Sequence, residues 1–210
     1  MKPSQSACLA MINFTDMTGL ASSAIAMTAM VARLPGVARL QNTHFVLLVC
    51  TIAIGALIPF GGLPIAAYVR GWMGDLSITS LMLLLMILLR PVFGWSKFAL
   101  RARISLLILI VLAALMLYPM ALGMGSFDPY RWGYGNPWFL CCWLLLAVAA
   151  CFCQLALVVF AIALAVLAWG AGWYESTNLW DYLLDPLLAI YATSALVRNG
   201  IQILLKLRRG

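Results

Sequence analysis

Charge is what this sequence has least of. Of 210 residues, 13 are Lys or Arg and six are Asp or Glu, so charged side chains make up 9% of the chain. Soluble domains carry about 25%, and so sparse a supply cannot cover a water-facing surface. Histidine is rarer still, with His44 alone. On the face that carries the candidate residues below, this removes Ser-His nucleophilic chemistry, histidine-dependent phosphatases and multi-histidine metal or haem sites. No CxxC pair occurs, and Cys151-Phe-Cys153 has the wrong spacing for a thioredoxin-like couple or a zinc knuckle. GxSxG, Walker, HExxH and Rossmann patterns are also missing.

What is present is apolar. Hydrophobic residues make up 65% of the chain, and the mean hydropathy is +1.04. A membrane-spanning helix needs about 20 apolar residues, so the length allows about six spans once loops are subtracted. The expected fold is an all-α integral membrane protein, a single bundle of about six transmembrane helices with short loops. The spans are expected at about 44–60, 76–93, 104–122, 137–151, 154–169 and 186–205. Residues 1–40 are less hydrophobic. They read as a cytoplasmic tail or, with translation starting at Met30, as a short basic leader.

The stretch 137–169 is the ambiguous one. It has 33 residues and essentially no charge. One helix of that length would reach about 50 Å against a hydrocarbon core of about 30 Å. Two helices need a turn near Ala150–Gln154, where no usual turn residue stands. Charge favours two. With six spans, the basic C-terminal end falls on the same side as Lys97, Arg101 and Arg103, which suits the positive-inside rule. The expected localisation is then the cell inner (plasma) membrane, multi-pass, with both termini inside. Eleven of the 13 basic residues lie inside and only Arg70 and Arg131 outside, while five of the six acids lie outside and Asp16 inside. The net charge of +7 follows from this bias and does not call for nucleic acid.

Three outer loops hold the candidate chemistry. Arg70 and Arg131 could grip an anion through bidentate guanidinium forks, with Asp128 and Tyr130 beside them. Glu175 and Asp181 are the candidate catalytic carboxylates, as general base or as metal ligand. The plainer reading is structural. Asp75 and Asp185 suit helix N-caps, the second followed by Pro186, and Asn136-Pro137 repeats that pattern. Asp128 suits a turn opener, and six outer tryptophans suit an interfacial belt.

Three functions stand at this point. The first is an accessory or scaffolding subunit presenting its acidic, aromatic outer loops to an envelope partner. The second is a small outer-leaflet enzyme acting on a lipid-linked or phosphorylated substrate. The third is a small-solute transporter, which predicts a polar cavity near Gln154. The expected partners are the lipid bilayer and another membrane or periplasmic protein. No metal, cofactor or nucleic acid is expected.

Overall fold

A computed structural model describes residues 14–37, 40–93 and 100–209. Helix α1 (Phe14–Ala32) is followed by α2 (Asn42–Ala56) and a two-residue hairpin, β1 (Pro59–Phe60) with β2 (Leu63–Pro64). Then come α3 (Ile65–Met73), α4 (Ile78–Phe93) and α5 (Leu100–Ala121). A 3-10 turn at Tyr130–Gly133 leads to α6 (Pro137–Phe152) and α7 (Ala156–Gly170). Finally, the short α8 (Leu179–Leu183) precedes α9 (Pro186–Arg209). The protein is therefore mostly helical.

Helix α1 lies within the stretch 1–40 that reads as a tail or leader. It packs against α2, α3 and α4. Its 19 residues reach about 28 Å. Ala24, Ala26, Ala29 and Ala32 are buried and allow close approach. Its buried hydroxyls bond back one turn: Ser22 donates to the Thr18 carbonyl at 2.7 Å and Thr28 to the Ala24 carbonyl at 2.7 Å. A helix rich in Ser and Thr can thus sit inside the bundle without leaving polar groups unpaired.

The direction of α1 corrects the expected side of Asp16. Asp16, in its first turn, lies 3.2 Å from Arg70. The start of α1 is therefore at the same end as the acidic loops, and Asp16 is not on the opposite side. All six acidic residues share this acidic end. The other, basic end holds Arg33 just beyond α1 and Arg101 and Arg103 at the start of α5. Among the described residues, seven helices (α1, α2, α4, α5, α6, α7 and α9) run between the two ends, where six spans were expected. Residues 14 and 209 consequently lie at opposite ends of the described structure.

Two helices, Leu100–Ala121 and Pro186–Leu205, are long and apolar enough to cross a membrane. Asn42–Ala56, Ile78–Leu89, Pro137–Phe152 and Ala156–Gly170 are apolar but shorter. At 15 residues, α2 and α7 reach about 22 Å.

Residues 137–169 form two helices. Gln154 turns the chain with a φ of +56°. The Leu155 N–H donates to the Ala150 carbonyl at 2.8 Å and the Gln154 N–H to the Cys151 carbonyl at 2.9 Å. Helices usually end this way on glycine, because a Cβ is strained in the left-handed region. Gln154→Gly should therefore stabilise the protein by about 0.5–1 kcal/mol once the glycine's greater unfolded-state freedom is offset. That corresponds to a rise in Tm of roughly 1–4 °C. An unchanged or lower Tm would show that the turn is relaxed with glutamine.

Candidate functional site

The acidic end is assembled around Arg70 near the end of α3. Its Nε donates to Asp75 Oδ1 at 2.6 Å and its Nη2 to Asp75 Oδ2 at 3.0 Å, a bidentate fork. Nη1 donates to Asp16 Oδ1 at 3.2 Å, and Glu175 Oε1 stands 3.7 Å from Nη2. The pairing with Asp75, followed by Asp16 and Glu175, holds the Arg70 guanidinium even more firmly protonated than usual. The pairs are not equal. The Asp75 side chain is 29% exposed and that of Glu175 is 66% exposed. Solvent screening therefore leaves the Glu175 contact worth little. Asp75 is spent on Arg70 rather than on capping α4, which corrects its expected role.

Asp185 takes over the α4 cap from across the structure. Its Oδ2 accepts from the Ser77 N–H at 3.0 Å and the Ser77 hydroxyl at 2.7 Å, and also from Ser80. Its Oδ1 accepts from the Leu188 N–H at 2.8 Å and so caps α9. One buried carboxylate thus serves two helix starts. Asn136 caps α6 through the N–H groups of Trp138 and Phe139, at 2.9 and 3.3 Å.

The remaining loops close over this frame. Tyr130 donates its hydroxyl to Asp181 at 3.0 Å, and Ser176 donates to the same carboxylate. Burial first, then the Asp181 charge, pushes the Tyr130 phenol well above its ordinary value. Asn178, fully buried, donates to the Tyr130 carbonyl at 2.9 Å and caps α8 through the Trp180 N–H at 3.0 Å. Trp180 donates to the Pro129 carbonyl at 2.9 Å and packs on Phe139 at a centroid distance of 4.9 Å. Tyr174 donates to the Leu76 carbonyl at 2.8 Å, while Ser22 of α1 lies 2.9 Å from the same hydroxyl. Burial pushes the Tyr174 phenol up to about 12.

The candidate residues therefore separate. Arg70 and Glu175 come together, but with Asp16 and Asp75 occupying the guanidinium. Asp181 meets Tyr130, not an arginine. Asp128 accepts from the Tyr130 N–H at 3.0 Å, as a turn opener does. Arg131 is exposed, and among the described residues no carboxylate lies within 4 Å of it. Among the described residues, no ion pair joins Arg131 or Asp181 to the Arg70–Glu175 group. Gln154 is exposed in its turn, away from the acidic end. Asp16 and Ser22 are members of this network that sequence reasoning missed, and Tyr174, Asn178 and Tyr182, whose hydroxyl accepts from the Tyr174 N–H at 3.0 Å, are legible only as polar residues of one outer loop. The partners of Asp16 and Ser22 lie far away in sequence, 54 residues for Asp16 and Arg70 and 152 for Ser22 and Tyr174. Compared with known protein families, curated proteins and solved structures, the chain matches none.

Two glycines make the network possible. A Cβ at Gly19 would lie 2.5 Å from the Arg70 guanidinium, and one at Gly133 would lie 1.7 Å from Asn178 Oδ1. Gly19→Ala and Gly133→Ala should each cost about 1–3 kcal/mol through overpacking and displaced hydrogen bonds. Gly55→Ala, where a Cβ meets open space, is the control. A denaturation series in which all three behave alike would refute these contacts.

The loop cluster also has an alkaline limit. The Tyr174 pKa is higher when folded, about 12 against 10.0. Its contribution is therefore fully present below pH 10 and lost as pH climbs through about 12. Tyrosine ionisation followed by absorbance should show loosening across that window. Tyr174→Phe should be less stable at neutral pH and lose less on alkalinisation.

Proposed function

We propose that this chain is a multi-pass membrane subunit without chemistry of its own, which presents the rigid acidic end to a protein partner. The observation that carries the reading is the saturation of the acidic end. Arg70 is shared by three carboxylates, Asp181 is held by Tyr130 and Ser176, and Asp185 caps two helices. Such groups set loop geometry and leave little to activate a substrate. What remains at the surface suits recognition: Trp138, Tyr134, Glu175, Asp128 and Arg131 are all exposed. Aromatic and arginine side chains are enriched where proteins bind one another.

Membrane insertion is supported by what the helices expose. The outer faces of α5, α6, α7 and α9 carry Leu112, Leu115, Leu144, Leu145, Leu167 and Ile190, among other exposed apolar residues. Soluble monomers rarely expose contiguous apolar patches of more than a few hundred Å². The split between an acidic and a basic end suits the positive-inside rule. In this reading the basic end faces the cytoplasm and the acidic end lies outside the inner membrane, with α1 starting on the outer side.

Two experiments test this. Cysteines placed singly at Thr15, Ser126 and Ser176, in a background without native cysteines, should label from outside, and one at Gln154 only from inside. Labelling of Ser176 from inside would end the reading. A photocrosslinker at Tyr134 or Trp138 in native membranes should give one adduct of discrete mass. Arg131→Glu should abolish it without lowering Tm. No adduct, or one indifferent to Arg131, would refute the partner surface.

A further inference from the structure

A large concavity runs from the acidic end, where Trp72, Leu76 and Ser80 line it, to the basic end. It is a lateral groove of about 650 Å³, within the roughly 300–1,000 Å³ range of ligand sites. Leu83, Leu84 and Ile87 of α4 contribute to its lining, with Ala26, Ala29 and Met30 of α1 and Leu187, Leu188 and Tyr191 of α9. Trp72 stands at the acidic-end mouth, 85% exposed. Arg33 and Arg103 line the groove at the basic end. Both arginines are exposed, and all six carboxylates of the chain are at the acidic end. Among the described residues, therefore, no acid pairs with either one.

We propose that this groove binds a membrane lipid with an anionic phosphate headgroup, the phosphate at Arg33 and Arg103 and an acyl chain along α4 toward Trp72. The inference rests on the membrane reading above. An apolar trough with cationic groups confined to one end is complementary to a molecule with a hydrocarbon chain and one negative end. Arginine forks suit phosphate oxygens, and basic pockets between spanning helices on the cytoplasmic side suit anionic headgroups. Methionines such as Met30 and Met86, which line the trough, adapt to a flexible chain. A zwitterionic lipid would bring its own cation beside the phosphate and compensate the two guanidinium groups less.

The test uses the full chain in a neutral detergent, titrated with phosphatidylglycerol and with phosphatidylcholine of the same acyl chains, with bound lipid counted by native mass spectrometry. Phosphatidylglycerol should bind about tenfold or more tighter. Arg33→Gln with Arg103→Gln should erase the difference, while Arg101→Gln, outside the groove at the same end, should preserve it. Met30→Trp, at a residue already exposed, should weaken both lipids. Equal binding of the two lipids would overturn the proposal, as would an Arg101→Gln effect as large as that of the double variant. Inorganic phosphate displacing the lipid completely would overturn the acyl-chain part. The membrane reading is scored separately, by retention of the chain in carbonate-washed membranes. A chain that washes off refutes that reading while the titration still scores the groove. A retained chain without headgroup preference refutes the groove alone.

Discussion

The guanidinium of Arg70 is the point on which the acidic end depends. It is reached by carboxylates from three parts of the chain: Asp16 of α1, Asp75 before α4, and Glu175 beyond α7. A single planar cation with five donors can hold several acceptors in fixed directions. Here that geometry orients α1, whose buried residues are all small ones such as Ser22, Ala26 and Ala29 and so gain little from burial. Gly19 lets the cation lie against α1 without a Cβ in the way. The same arrangement that consumes Arg70 as an anion holder brings the first helix into register with the rest.

That register organises the molecule into two unlike ends. Once Asp16 joins the acidic end, every carboxylate is there, and Arg33, Arg101 and Arg103 lie at the other. Between them are helices that expose many apolar residues, and in α1 the inward hydroxyls of Ser22, Ser23 and Thr28 bond back to their own backbone. The acidic end is stiffened by hydrogen bonds that span loops, such as Trp180 to Pro129 and Tyr174 to Leu76. The basic end has no comparable web among the described residues and leaves its arginines open. Rigidity at one end and unsatisfied charge at the other suit a protein surface and a lipid surface respectively.

Much of the helical framework is legible in the sequence, because the apolar runs are long and their punctuation is local. Asn136-Pro137 and Asp185-Pro186 mark two helix starts, and the break between α6 and α7 follows from charge placement although Gln154 is no usual turn residue. Helix α1 is not legible as a packed element. Ser22, Ser23 and Thr28 lower its hydropathy, and only the structure shows their hydroxyls bonded back to the helix. The role of Asp75 is hidden for a different reason. Its position before α4 suits a cap, but Asp185 reaches the same helix start from a distant segment. The candidate site shares this difficulty. Residue types named its members, but which acid meets which arginine is settled by helix direction, and that depends on α1.

A double-mutant cycle on Arg70 and Asp75 tests the central claim most directly. Stability would be measured for Arg70→Gln, for Asp75→Asn and for both together. The pair is part-buried and bidentate, so its coupling should fall between that of an exposed and a buried ion pair, about 1–3 kcal/mol, and the double variant should lose far less than the sum of the singles. Strict additivity, with the two losses simply summing, would contradict the account: Arg70 would then not be the tie that holds the acidic end together.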